Sequence, residues 1–271
     1  MPGKASIQGP AIALTLAILV ACAAPTPGAA DEPAGQQDFT FSANVGIASD
    51  YRFRGFTQTR ESAAVAGGVD LGFRWLYLGL WASNVDFGRV QDSAGRFHEV
   101  ADAELDVYAG IKNRLGPVEW DVGVIHYAYP GSFGTVDSLG RRRDLDYTEI
   151  KGAVSGKLHD SLTGSFTVYY SPDYFGEVGD NWVFEGTLTR ALTPFAGLQP
   201  SVSATLAYSE GDEGDGGYDY WYWNVGISFI FADYFEFDLR YFDTIDVPEN
   251  LAGDCSGRCD GAVVARLTFE Y

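Results

Sequence analysis

Residues 263–271 alternate strictly. Val263, Ala265, Leu267, Phe269 and Tyr271 fall on one face, and Val264, Arg266, Thr268 and Glu270 on the other. Successive side chains of an extended strand point to opposite sides, so one face is apolar to its last residue while the other ends in Arg, Thr and Glu. Chain ends of soluble domains usually fray and have no use for such a face. A strand with lipid on one side and a wet lumen on the other requires it.

The same period of two recurs along the chain and predicts twelve strands. In the first, Phe41, Ala43, Val45 and Ile47 oppose Ser42, Asn44 and Asp50; the fourth sets Ala103, Leu105, Val107, Ala109 and Ile111 against Glu104, Asp106, Tyr108 and Lys112. The fifth sets Val118, Trp120, Val122 and Val124 against Glu119 and Asp121. The sixth, near residues 148–158, has the weakest pattern. Connections alternate between short turns and long Gly/Asp/Ser/Arg-rich loops (88–100, 130–146, 171–180, 209–217 and 245–261). Outer-membrane barrels have short periplasmic turns and long outer loops. The expected fold is therefore all-β: a transmembrane antiparallel up-and-down barrel of outer-membrane type spanning residues 39–271, with both termini periplasmic. With 33 Gly, 16 Tyr, 18 Phe and a single Met, composition disfavours a helical chain. The six tryptophans, Trp75, Trp81, Trp120, Trp182, Trp221 and Trp223, are expected at strand ends or on outward faces, as girdle residues.

Residues 1–30 read as an export signal, with Lys4 before an apolar core over 11–20 and small residues at Gly28 and Ala30. That core is too short to cross a bilayer. Cys22, preceded by Leu19-Val20-Ala21, offers lipidation as the alternative processing route. A short polar segment, residues 31–38, follows. In an oxidising compartment Cys255 and Cys259 are expected to close a small disulfide loop; no nearby His completes a zinc site. The net charge of −19 argues against nucleic acid as a partner and for a cation-favouring lumen or rim.

Further stretches carry a family likeness. They are Ser49-Asp50-Tyr51-Arg52-Phe53-Arg54-Gly55-Phe56-Thr57-Gln58-Thr59, Trp81-Ala82-Ser83-Asn84-Val85-Asp86-Phe87 and Tyr170-Ser171-Pro172-Asp173-Tyr174-Phe175-Gly176, with residues 104–110 and 120–123. In that order they resemble the TorF family of proteobacterial porins, from about Phe39 to the C-terminus. The resemblance implies an outer-membrane barrel and leaves the solute open. The last strand likewise resembles the C-terminal signal of bacterial outer-membrane proteins. Leu267, Phe269 and Tyr271 would then be the residues presented to the barrel-assembly machinery.

The expected pore-lining set is Asp50, Arg52, Arg54, Asp86, Glu104, Asp106, Glu119, Asp121, Arg240 and Arg266. Asp50, Arg52 and Arg54 are expected on one face at the end of the first strand, opposed by the acids of strands three to five. Such opposition either sets a transverse field that orients solutes or forms a ladder of salt bridges that fills a closed lumen. Twelve strands lie between the filled eight-strand barrel and the open sixteen-strand channel, so both readings stand. The expected function is passive diffusion of small polar solutes or ions, with cations preferred; the alternative is a non-conducting structural or adhesive barrel. Catalysis is disfavoured. His159-Asp160-Ser161 is contiguous and falls on a periplasmic turn, and no Gly-Xaa-Ser-Xaa-Gly elbow occurs. The acidic loop 212–219 fails calcium-loop spacing, so neither metal nor cofactor is expected. Arg141, Arg142 and Arg143 could meet lipopolysaccharide phosphates or simply be solvated. Membrane lipid is the remaining expected partner; oligomeric state is open.

Overall fold

The computed structural model describes residues 39–136, 140–214, 216–248 and 258–271. The leader, the polar segment 31–38, Cys22 and Cys255 lie outside the described residues. Twelve long strands form one closed antiparallel barrel. They are β1 (Thr40–Ala48), β4 (Ala64–Phe73), β5 (Leu76–Asn84), β8 (Ala103–Leu115), β9 (Val118–Ala128), β12 (Tyr147–His159), β13 (Leu162–Ser171), β14 (Asn181–Ala191), β15 (Gln199–Gly211), β16 (Tyr220–Phe231), β17 (Phe235–Ile245) and β18 (Ala262–Glu270). Each expected strand is a stave. Neighbours in sequence pair with one another, and β1 closes on β18 from Asn44↔Glu270 to Ala48↔Arg266.

Alternation sets which side of each stave meets lipid. Val45, Leu78, Leu105, Val107, Val122, Val154, Phe166, Leu206, Val225, Leu239 and Leu267 are exposed on the outer surface, while Glu104, Asp106, Asp121, Glu149, Asp238 and Arg240 are buried on the inner one. A protein with apolar groups out and charges in is inverted relative to a soluble fold, and suits a bilayer. Staves of 9 to 13 residues, tilted as in such barrels, cover an apolar band of about 25 Å. No helix among the described residues is long and apolar enough to cross a membrane.

Among the described residues, three small hairpins lie in connections at one end of the barrel: β2 (Arg52–Phe53) with β3 (Phe56–Thr57), β6 (Arg89–Gln91) with β7 (Phe97–Glu99), and β10 (Thr135–Val136) with β11 (Arg142–Arg143). The opposite end carries tight connections. β8 and β9 are joined by Gly116-Pro117 alone, with Gly116 at φ 61°. The turn is this short because the ladder continues to Leu115↔Val118.

Of the tryptophans, Trp75, Trp182 and Trp221 are exposed and Trp120 and Trp223 half-buried, but Trp81 is buried inside the barrel. Its position between Leu80 and Ala82 gives it inward parity. Its ring meets Tyr51 edge-on at 5.4 Å.

A hairpin inside the lumen

The first strand ends at Ala48, and the next dozen residues turn inward. This corrects the expectation that Asp50, Arg52 and Arg54 continue the face of that strand. Asp50, Tyr51, Arg52, Arg54, Thr57, Gln58 and Thr59 are all buried. The β2–β3 pair is closed by Arg54 and Gly55, at φ 49° and 90°. Two consecutive positive φ values match the twist of a two-residue hairpin turn, and Gly55 adopts its value without penalty. A Cβ at Gly55 would also strike the Thr244 methyl, so a larger residue would push the tip off its seat.

Charge pairs knit the base. Asp50 accepts from Arg52 Nε (2.6 Å), Thr57 Oγ1 (2.5 Å) and Thr59 Oγ1 (2.9 Å). Arg52 also donates to the carbonyls of Gly55, Arg258 and Asp260 and reaches Glu61 at 3.3 Å. A buried guanidinium is tolerated when its fork is satisfied in this way.

The tip reaches across the barrel. Arg54 donates Nη1 and Nη2 to the two oxygens of Glu149 on β12, both at 2.8 Å. The guanidinium lies 4.7 Å from the Phe53 ring centre and 5.1 Å from that of Tyr169, and Tyr220 donates its hydroxyl to the Arg54 carbonyl. Tyr51 donates to Glu104 at 2.7 Å, Phe53 packs on Tyr127, and Phe56 meets Tyr220 edge-on. The hairpin therefore touches β5, β8, β9, β12, β13, β16 and β17. It contributes lining to two spaces: an outer chamber of about 460 Å³ under the long loops and a smaller pocket of about 70 Å³ against β1, β4, β5, β17 and β18.

The other expected residues divide by depth. Glu104 takes the Tyr51 and Tyr129 hydroxyls, and Asp106 Oδ1 is buried with no hydrogen-bond partner among the described residues. Asp121 accepts from Tyr77 and from Lys151 Nζ, each at 2.8 Å. Arg240 bridges Asp238, Asn224 and Ser203, and Arg266 meets Glu236 at 3.4 Å. Asp86 is half-exposed 3.8 Å from Arg60, and Glu119 pairs with Arg114 at the short-turn end. None of the five acids expected to oppose Arg54 takes its guanidinium. Glu149, which the weak pattern of that strand left unnoticed, does.

A second feature escaped the sequence reading. Phenols, as often as cations, satisfy the inward carboxylates: Tyr108 on Asp70 (2.7 Å), Tyr127 on Glu149 (3.1 Å) and Tyr222 on Glu185 (2.9 Å), besides Tyr51 and Tyr77 above. Small residues make room for them. A Cβ at Gly110 or Gly123 would collide with the Tyr77 ring. Among the described residues no group of His, Cys, Asp and Glu is arranged to hold a metal ion.

A profile of the bacterial proteins of unknown function termed Gcw_chp matches residues 31–269. No curated protein matches the chain. Among solved structures it is similar to the NanC porin (8% identity, 84% of this chain and 98% of that one, TM-score 0.46). It is also similar to the COG4313 outer membrane channel from Pseudomonas putida F1 (12% identity, 89% and 99%, TM-score 0.45) and to LpxR from Salmonella typhimurium (11% identity, 85% and 99%, TM-score 0.46).

Proposed function

We propose, from the premise that the chain belongs to the Gcw_chp family of bacterial proteins of unknown function, that it is a porin-like channel for small polar solutes or ions, with cations preferred. The likeness to TorF porins is part of this reading, as is a periplasmic position for both termini. The observation that carries the cation preference is the phenol-bound set of carboxylates. Glu104, Asp70 and Glu185 accept Tyr hydroxyls and have no Lys or Arg within salt-bridge distance among the described residues. A phenol solvates a carboxylate without cancelling its charge, so the narrow, low-dielectric passage keeps a negative potential.

Reversal potential in a salt gradient across a planar bilayer tests this. The barrel should select cations, and Glu104→Gln with Asp106→Asn should weaken the selectivity. Anion selectivity would defeat the charge argument. A second reading, a non-conducting barrel, is favoured by the hairpin's contacts around the wall; folded protein without any conductance would establish it.

The exposed apolar side of β18 supports the assembly role of Leu267, Phe269 and Tyr271. Phe269 packs on Phe235 at 5.4 Å, and Tyr271 exchanges backbone hydrogen bonds with Ala43 across the closing seam. Phe269→Asp and deletion of Tyr271 should each lower the yield of heat-modifiable barrel in the outer membrane. Normal yield from both would remove the assembly role.

A further inference from the structure

The outer chamber is walled by rings and floored by the tip of the hairpin. Phe53, Phe87, Tyr129, Tyr147, Tyr174 and Phe175 all line it. Their planes cross at large angles: 89° between Phe87 and Phe175, 56° between Phe87 and Tyr129, and 69° between Tyr147 and Tyr174. Ring surfaces thus meet the space from more than one direction. A chamber of about 460 Å³ is within the range of small-molecule sites, which combine apolar walls with a few placed polar groups. Those groups are present as Gln58, Asn181 and Ser209.

Charge narrows the class of ligand. Of the charged side chains at the chamber, Arg54 is matched by Glu149 and Arg60 by Asp86, leaving Arg258 and Asp180 with opposite signs. Among the described residues the chamber has no excess charge with which to select an ion. A flat aromatic solute would satisfy the rings but make no use of the remaining hydrogen-bonding capacity of Gln58, whose Nε2 donates to the Phe56 carbonyl at 3.2 Å, or of Asn181 and Ser209, which bond one another at 3.1 Å. A sugar ring satisfies both. Its C–H faces lie against aromatic planes, and its hydroxyls can exchange hydrogen bonds with Gln58, Asn181 and Ser209. Deeper in the barrel, the wall of β14 and β15 carries Thr187, Thr189, Ser203 and Thr205, a surface suited to the same hydroxyls.

We infer that the outer chamber is a binding site for a neutral saccharide. The inference deepens the channel reading, since it names a solute class for that path, but binding itself does not require conduction. The test is saturation-transfer NMR on the full barrel folded in amine-oxide micelles, which bring no sugar headgroup of their own. The probes are maltotriose, cellotriose and lactose, with benzoate and tyramine as charged aromatic comparisons. At least one sugar should receive saturation. The Phe87→Ala, Phe175→Ala double variant should bind it about tenfold more weakly, the loss expected for two ring contacts of roughly 0.7 kcal/mol each. Phe175→Trp, which keeps a ring, should retain binding and guards against a merely misfolded double variant. Transfer to none of the sugars, transfer to the charged aromatics alone, or unchanged sugar affinity in the folded double variant would overturn the site. A barrel that binds sugar yet passes no current would sink the channel and leave the site standing.

Discussion

Arg54→Ala should destabilise the barrel by about 3–5 kcal/mol, the range for removing one partner of a buried ion pair, and should raise its single-channel conductance. The guanidinium and the Glu149 carboxylate are 5% and 1% exposed. Among the described residues, truncation leaves Glu149 buried with only the Tyr127 hydroxyl, at 3.1 Å, and it frees the hairpin tip from the far wall. Adding Glu149→Ala should recover much of the lost stability, because the stranded charge is then gone, while conductance stays high. Denaturant refolding with bilayer recording checks both halves. Equal stability of Arg54→Ala and wild type would show that the pair is solvated. An unchanged conductance in a folded variant would show that the hairpin does not limit the passage.

Val107→Arg should cost about 2–4 kcal/mol, the depth-dependent penalty for a lipid-facing arginine near mid-membrane, and should do so through the lipid alone; Val107 pairs with Leu80 at the centre of β5. Val107 is outward and 39% exposed, whereas Glu104, three residues away, is inward and 3% exposed. Glu104→Gln keeps an oxygen for the Tyr51 and Tyr129 hydroxyls and should cost about 1 kcal/mol. Refolding titrations into bilayers compare the two. A larger loss for Glu104→Gln would mean that the lipid and lumen faces are reversed.

The barrel was legible because lipid and lumen impose opposite demands on adjacent residues, and a period of two survives wherever both demands hold. It survives in β8, where Leu105 and Val107 interleave with Glu104 and Asp106. It fades in β12, where Gly152 and Gly156 fall in the middle of the strand, and Glu149 and Lys151 were overlooked there. The hairpin was hidden for a different reason. Residues 50–59 meet neither lipid nor bulk water, so no alternation marks them, and the partner of Arg54 lies 95 residues away. Arg54-Gly55 between aromatic residues was the available turn signal, but Arg is an unusual occupant of a positive-φ turn position. The phenol–carboxylate pairs were obscured because tyrosine is equally at home in an aromatic girdle. Its parity with Asp106 and Glu104 marks Tyr108 as inward, and the same parity test would have placed Trp81.

The closing seam is also the shortest ladder in the barrel: β1 and β18 share five registered pairs, against nine between β1 and β4. The hairpin lies just behind it. Arg52 bonds the carbonyls of Arg258 and Asp260, partners 206 and 208 residues away, and the Thr57 amide bonds the Arg258 carbonyl at 2.8 Å. The segment emerging from the first stave is thus buttoned to the segment entering the last. Parting the wall sideways at this junction would require undoing that clasp as well as the ladder, so the hairpin that crosses the lumen also fastens the cylinder where it is least zipped.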